Sequence, residues 1–172
     1  MNCGSPNFVS FNENRNGNYL KVSNMIMQLL RNRRNQVILD LNTQRDLFLA
    51  DGKACVGNHR RLLKKIRRMI AWARLNDIPV ISTCEVFPAD SSNGHPPYCL
   101  DGTEGQKKIS YTLLENRASF AADGSTDIPN DVLRSNSQVI LHNRSRDPFD
   151  EPRIERLLTE LNADEFIVFG AT

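Results

Sequence analysis

The feature that most constrains the fold is a short apolar run that ends in a carboxylate, Val37-Ile38-Leu39-Asp40. A run of this length that contains β-branched residues is typical of a buried strand in a parallel sheet. Open α/β sheets bind their ligands just past the carboxyl ends of their strands. We therefore expect Asp40 to lie where ligand binding or catalysis takes place. The residues alone leave a second interpretation open, in which Asp40 only caps the turn or helix that follows.

The rest of the sequence alternates predicted helices with predicted strands. Apolar residues recur at helical spacing over His59–Leu75 and again over Pro152–Leu161. Further short apolar runs predict strands at residues 78–83, 139–141 and 166–169. A strand, a helix and a strand in succession form a βαβ unit, in which the two strands are parallel. We therefore predict an α/β, three-layer Rossmann-like fold, with a mainly parallel sheet flanked by helices.

Three stretches are less regular. Residues 85–108 are rich in Pro, Gly, Asn and Asp, which is typical of a long loop, and loops of this length are usually functional or disordered. Residues 109–120 are compatible with either a strand or a helix. Residues 1–35 are predicted to form an N-terminal arm that contains a short helix between Tyr19 and Leu30, and the α/β domain covers residues 36–172.

The composition argues against several classes of protein. A net charge of +2 over 172 residues is too small to indicate a nucleic-acid or membrane partner. No apolar run approaches the ~20 residues that a membrane-spanning helix needs. The N-terminus lacks the pattern of a signal peptide, and the four cysteines form no CxxC pair, so we expect a cytoplasmic protein with reduced thiols. The basic residues between 60 and 68 are expected to be solvated. RNA binding is a distant alternative, because no aromatic platform accompanies them.

Three segments, in this order, resemble the isochorismatase-like cysteine hydrolase family, which includes the nicotinamidases. The first strand with Asp46-Leu47-Phe48 is similar to that family's first strand and acidic loop, although the spacing here is longer. Residues 96–105, Pro-Pro-Tyr-Cys-Leu-Asp-Gly-Thr-Glu-Gly, are similar to its Pro-Pro-His-Cys-x-x-Gly-Thr-x-Gly loop, and this is the most specific match. Residues 166–172 look like the strand that leads into the family's nucleophile elbow. The resemblance covers residues 36–172.

The resemblance implies a reaction carried out by an Asp, a Lys and a Cys. In the family, a thiolate attacks an amide carbonyl, the carboxylate moves the proton and the Lys stabilises the charged species. Asp40 matches the Asp, which makes it the general base. His142 stands near the Lys position and is either a cation or acid–base group, or a loop histidine without a role. Arg144 and Arg146 lie nearby in the sequence and are further sources of positive charge.

None of the four cysteines matches the family nucleophile, which would follow Gly170-Ala171 by a few residues. We therefore expect the sequence to be a fragment of a longer chain, with the nucleophile beyond Thr172. Cys84 directly follows the second predicted strand and is the alternative nucleophile. For Cys84, however, a small buried thiol without a role is the preferred interpretation.

Nicotinamidases also bind a divalent metal through an Asp and His residues in the loop after the second strand. In this sequence Glu85 stands at the Asp position, whereas Phe87 and Tyr98 stand where His residues would be expected, and His95 is displaced. One carboxylate and one stray His make a poor set of metal ligands. We therefore predict no metal and no other cofactor.

Two functions from different classes follow. The first is an isochorismatase-like hydrolase of a small-molecule C–N amide or related bond, with Asp40 and His142 as catalytic residues. The second is a catalytically inactive member of the same fold that serves as a binding or oligomeric scaffold. The missing Lys favours the second function, and the retained Asp40 favours the first. The resemblance also implies a homo-oligomer, because dimers and tetramers are common in the family.

Overall fold

A computed structural model describes residues 35–89 and 96–171 of the chain. The strands of this part form a parallel sheet in the spatial order β3-β4-β2-β1-β5. They are β1 (Gln36–Leu41), β2 (Val80–Glu85), β3 (Arg117–Phe120), β4 (Gln138–Asn143) and β5 (Glu165–Gly170). The prediction of a mainly parallel α/β sheet is confirmed.

The helices are α1 (Arg45–Phe48), α2 (His59–Leu75), α3 (Val132–Ser135) and α4 (Pro152–Leu161). Two 3₁₀ turns cover Ser110–Thr112 and Pro148–Asp150. The two long helices, α2 and α4, begin and end where the apolar spacing predicts. The helix predicted between Tyr19 and Leu30 lies outside the described residues, as does His95.

The predicted strands are present, with somewhat different bounds. β1, β4 and β5 each extend one or two residues beyond the apolar run, so Asp40 lies inside β1 rather than after it. β2 begins at Val80, two residues later than predicted. The ambiguous stretch at residues 109–120 contains a 3₁₀ turn and then the strand β3.

The apolar core lies in two layers, one on each face of the sheet. On one face, Ile38 of β1 packs in a cluster with Ile66 and Ile70 of α2. On the other face, Leu39 of β1 packs in a cluster with Leu157 of α4. Neighbouring residues of β1 thus point into different layers, as expected for a strand covered by helices on both faces. No helix in the described part is long and apolar enough to cross a membrane.

Candidate functional site

Asp40 is the centre of a buried polar network at the carboxyl end of β1. Its side chain is 0% exposed, and both carboxylate oxygens have partners. Oδ1 accepts a hydrogen bond from Thr43 Oγ1 at 2.7 Å, and Oδ2 accepts one from Ser82 Oγ at 2.9 Å. The next helix, α1, has Gln44 at its N-cap position, so Asp40 does not cap it. The network places Asp40 at the sheet edge that the sequence predicts.

The cation beside Asp40 is Lys108, which the sequence did not nominate. The Lys108 ammonium lies 2.9 Å from Asp40 Oδ2, and the two side chains are 3% and 0% exposed. Its Nζ also donates to the backbone carbonyl of Thr83 at 3.5 Å. An ammonium carries three N–H donors, so one of them has no protein partner among the described residues. Lys108 therefore compensates the negative charge of Asp40, and one of its N–H groups has no acceptor among the described residues.

Lys108 reaches Asp40 because residues 105–109 run alongside residues 43–46. Three backbone hydrogen bonds of 2.9–3.0 Å join the two segments, with the amides of Arg45, Asp46 and Ile109 donating to the carbonyls of Lys107, Gly105 and Thr43. Lys108 also forms an antiparallel bridge with Gln44. The backbone therefore fixes where the Lys108 side chain begins, and the side chain turns inward to Asp40.

Asp46 anchors the same loop from its other end. Its carboxylate accepts backbone hydrogen bonds from Cys99 at 2.8 Å and from Lys53 at 3.1 Å. Gly105 lies directly against this carboxylate, and a Cβ atom there would be 2.0 Å from Asp46 Oδ2. A side chain at position 105 would therefore force the Asp46 carboxylate to move. Asp46, from the first segment that resembles the family, therefore contacts Gly105, the last residue of the loop at residues 96–105.

Gln44 connects this loop to the end of β2. Its buried side-chain amide donates to the backbone carbonyls of Glu85 and Gln106, at 2.7 and 2.8 Å. Its side-chain oxygen accepts from the Glu85 amide at 2.9 Å. One side chain therefore satisfies backbone groups of both β2 and the loop, which keeps the Lys108 segment in register with the sheet.

A cavity of about 480 Å³ opens beside this network. Cys84, Lys108 and His142 lie on its wall, together with the apolar side chains of Ile140 and Leu113. A larger cavity, of about 600 Å³, lies near the starts of the strands and is lined by residues such as Ala73 and Asn116. Because ligands of open α/β sheets bind at the carboxyl ends of strands, the smaller cavity is the candidate functional site.

His142 lies on the cavity wall and is held by Ser119, whose Oγ is 3.1 Å from its Nε2. Burial lowers the pKa of His142 below its usual value, and the positive charge of Lys108 lowers it further. The imidazole is therefore neutral near pH 7, and Lys108 rather than His142 supplies the positive charge here. Arg144 is half-exposed and lies 4.0 Å from Asp101.

Cys84 is the thiol of the cavity wall. It is a register partner of His142 across β2 and β4, and it is 1% exposed. Burial raises the pKa of its thiol to about 11, although the charge of Lys108 acts in the opposite direction. The resting side chain is therefore a neutral thiol, consistent with the interpretation of Cys84 as a small buried residue.

Glu85, at the end of β2, stands where nicotinamidases have the Asp that binds their metal. Its Oε1 accepts from Asn42 Nδ2 at 2.7 Å, whereas its Oε2 has no hydrogen-bond partner among the described residues. Phe87 and Tyr98 stack edge to face, with ring centroids 5.9 Å apart. The described part of the chain holds no group of three or more potential metal-ligating residues. The absence of a metal remains a prediction, since His95 is outside the described part.

Solved structures share this arrangement of sheet and helices. A pyrazinamidase/nicotinamidase from Streptococcus mutans superposes with a TM-score of 0.59 at 16% sequence identity, covering 80% of this chain and 72% of that one. The chain has the isochorismatase-like fold. An isochorismatase family protein from Desulfovibrio vulgaris gives a TM-score of 0.60 at 19% identity, covering 81% of this chain and 68% of that one.

A third structure with the isochorismatase-like fold is the N-carbamoylsarcosine amidase from Thermoplasma acidophilum. It gives a TM-score of 0.54 at 13% identity, covering 78% of this chain and 66% of that one. No family model and no curated protein matches the sequence. The resemblance seen in the sequence is therefore confirmed at the level of the fold.

Asp40 and His142 lie near the carboxyl ends of their strands, as the sequence predicts, whereas Lys108, Ser82 and Gln44 were not predicted to lie at this site. Ser82 and Gln44 are polar residues that become buried only through tertiary contacts. Lys108 directly follows another lysine in a loop-like stretch, and no periodicity separates the buried lysine from the exposed one. The only available signal was its position immediately after the loop that resembles the family pattern.

Proposed function

We propose that this domain hydrolyses a C–N amide or a related bond of a small molecule, with Asp40 as the general base. One observation carries the proposal: a buried carboxylate–ammonium pair, Asp40 and Lys108, has its lysine on the wall of a cavity at the carboxyl edge of an isochorismatase-like fold. A cavity of about 480 Å³ is in the range that small-molecule sites occupy.

In the proposed reaction a cysteine thiol gives its proton to Asp40 and its sulfur attacks the amide carbonyl carbon. The tetrahedral intermediate collapses, the C–N bond breaks and the amine leaves with that proton. Water then hydrolyses the thioester, which restores the thiol. In the described part of the chain, Cys84 is the thiol on the wall of the cavity.

His142 is proposed as the acid–base or hydrogen-bonding partner of the substrate. A neutral imidazole has one donor and one acceptor nitrogen, so it can assist a proton transfer without adding charge. Its Nε2 is already held by Ser119, which fixes the plane of the ring on the cavity wall. Replacement of His142 by Gln should therefore reduce turnover without removing the charge of the site.

The test is ammonia release by the purified chain from nicotinamide, pyrazinamide and N-carbamoylsarcosine. These three amides are chosen because solved proteins of this fold are named for acting on them. Asp40→Asn should abolish release, because an amide side chain cannot accept the proton. Lys64→Met, which changes an exposed lysine of α2, is the control and should leave release unchanged.

Cys84→Ser identifies the thiol that reacts. Loss of ammonia release would assign the nucleophile to Cys84, whereas retained release would assign it to another cysteine. A folded wild-type chain that releases no ammonia from any of the three amides contradicts the proposal for this substrate class. Binding of an amide without turnover would instead support the alternative of an inactive scaffold.

A further inference from the structure

We propose that a groove between α2 and β5 binds a single strand of nucleic acid, with its phosphates against basic side chains of α2 and a base stacked on Trp72. The walls of this α2 groove are Lys65, Arg68, Met69 and Trp72 of α2 and Ile167 of β5. None of these residues lines the candidate functional site. The proposal therefore goes beyond the hydrolase function and does not depend on it.

The first support is the charge of α2. Seven of the 22 Lys and Arg residues of the chain, and none of its 20 Asp and Glu residues, lie in this helix. All of these basic residues are exposed. In the part of the chain that the structure describes, none of them forms a hydrogen bond or an ion pair through its side chain. Like charges one turn apart repel each other, so a bound polyanion would relieve a repulsion that acidic residues of the helix do not compensate.

The second support is the line that Arg61, Lys65 and Arg68 form along α2. Residues three and four positions apart lie on the same face of a helix, and Trp72 continues this line by one further turn. At a rise of about 1.5 Å per residue, the line from Arg61 to Trp72 is about 16 Å long. A stacked strand advances about 3.4 Å per nucleotide, so the line is long enough to follow several nucleotides.

The third support is Trp72, an aromatic platform that the sequence did not predict to accompany the basic residues. Its side chain is 36% exposed, and it lines a cavity of about 460 Å³ together with the cations Lys65 and Arg68. Proteins that bind single strands combine a basic groove, which follows the phosphates, with aromatic rings on which bases stack. The α2 groove has both of these parts within one turn of each other.

Other polyanions fit the same features less well. An anionic membrane takes up the apolar face of a basic helix, but the apolar face of α2 is packed in the core, where Ile66, Ile70 and Ala73 are buried. An acidic peptide pairs with the cations and has no need of a planar ring. A duplex keeps the faces of its bases inside the stack. A single strand offers phosphates and unstacked bases together, which is the combination that the α2 groove matches.

The test is a fluorescence titration of the whole chain, because Trp72 is its only tryptophan. The probe is an oligouridylate of about 15 nucleotides. A base that stacks on the indole should quench its emission. The logarithm of the binding constant should fall with the logarithm of the salt concentration, with a slope of about −2, because three cations replace the counterions of a single strand. Binding that ignores salt, or that leaves the emission unchanged, would overturn the proposal.

Two variants separate stacking from charge, and their affinities are measured by the anisotropy of a fluorescein-labelled oligouridylate. Trp72→Leu should weaken binding on the order of tenfold and keep the salt slope, because it removes the stacking surface and no charge. Arg68→Met should weaken binding about three- to tenfold and make the slope shallower by about 0.7. Circular dichroism checks that each variant is folded.

The matched control is Arg74→Met, which removes an exposed arginine of the same helix that lines a different cavity. It should change the affinity by less than about twofold, since water and salt screen a charge outside the groove. Equal losses in Arg68→Met and Arg74→Met would contradict the proposal, because they would mean that the charge of the helix acts without the groove.

Competing probes decide between the classes of partner. Polyglutamate, an RNA duplex of the same length, and vesicles of phosphatidylcholine and phosphatidylserine are titrated in the same way. Weaker binding of all three, without quenching of Trp72, would support the proposal. Tighter binding of polyglutamate or vesicles would assign the surface to an acidic protein or a membrane, and quenching by the duplex would exclude stacking of an unpaired base. None of these measurements uses turnover, so the hydrolase function and this proposal fail separately.

Discussion

Two carboxylates, Asp40 and Glu85, lie near the carboxyl ends of neighbouring strands of the sheet, and their surroundings differ. Both are almost completely buried. Asp40 has two hydroxyl donors and an ammonium, whereas one oxygen of Glu85 has no hydrogen-bond partner in the described residues. Burial raises the pKa of Glu85 to about 7, with only a partial opposing effect from Arg146. The difference teaches that the partners around a buried carboxylate, and not its burial alone, decide how well its charge is compensated.

The largest expected change in stability comes from removing the positive charge that lies beside Asp40. Lys108→Met should lower the free energy of unfolding by about 3–5 kcal/mol, because it leaves a buried carboxylate uncompensated. The double variant Asp40→Asn/Lys108→Met should recover most of this loss. Urea denaturation of the wild type, the two single variants and the double variant measures the coupling. Additive losses would mean that the two side chains do not stabilise each other.

The next largest effect acts on the loop that carries the lysine. Gly105→Ala places a methyl group against the Asp46 carboxylate and should cost about 1–3 kcal/mol, as overpacking usually does. Gly57→Ala is the control, since nothing lies within 4 Å of a Cβ atom there and no positive φ is required. Similar urea midpoints for the two variants would show that the Gly105 contact is not close in solution.

A smaller effect concerns Glu85 and depends on pH. Its pKa is raised from 4.5 to about 7 in the folded protein, so the folded state holds the proton more tightly than the unfolded state does. This contribution to stability is fully present below the unfolded pKa and is lost as the pH rises through 7. Between about pH 5 and pH 8, the wild type should therefore lose about 1–2 kcal/mol more than Glu85→Gln does. The free energies of unfolding of the two proteins are measured against pH, and parallel curves would contradict this prediction.

The smallest expected effect belongs to the lysine next to Lys108. Lys107 is 61% exposed and pairs with the exposed Glu104 on the surface. Exposed ion pairs contribute little to stability because water and salt screen them. Lys107→Met should leave the urea midpoint unchanged within error, in contrast to Lys108→Met. A large shift in the urea midpoint would mean that Lys107, and not Lys108, forms the stabilising ion pair in solution.

Much of the fold was predictable, because apolar spacing reports directly on which face of an element is buried. The bounds of α2 and α4 follow from it, and so does the position of Asp40 at the end of a buried strand. The cation was not predictable, because it depends on a loop folding back across the sheet. The sequence predicts His142 just after the strand at residues 139–141, whereas the structure has it inside that strand, as a neutral imidazole with a lowered pKa. A local pattern cannot show which of two adjacent lysines turns inward.

The loop origin of Lys108 also has a consequence for hydrogen exchange. Any fluctuation that lifts residues 105–109 away from residues 43–46 must separate the ammonium from Asp40 as well, so the energy of opening includes the buried ion pair. The amides of Arg45, Asp46 and Ile109, although they lie outside the sheet, should therefore exchange with solvent as slowly as amides of the core strands. Entry of a ligand into the cavity then has to proceed without opening this segment.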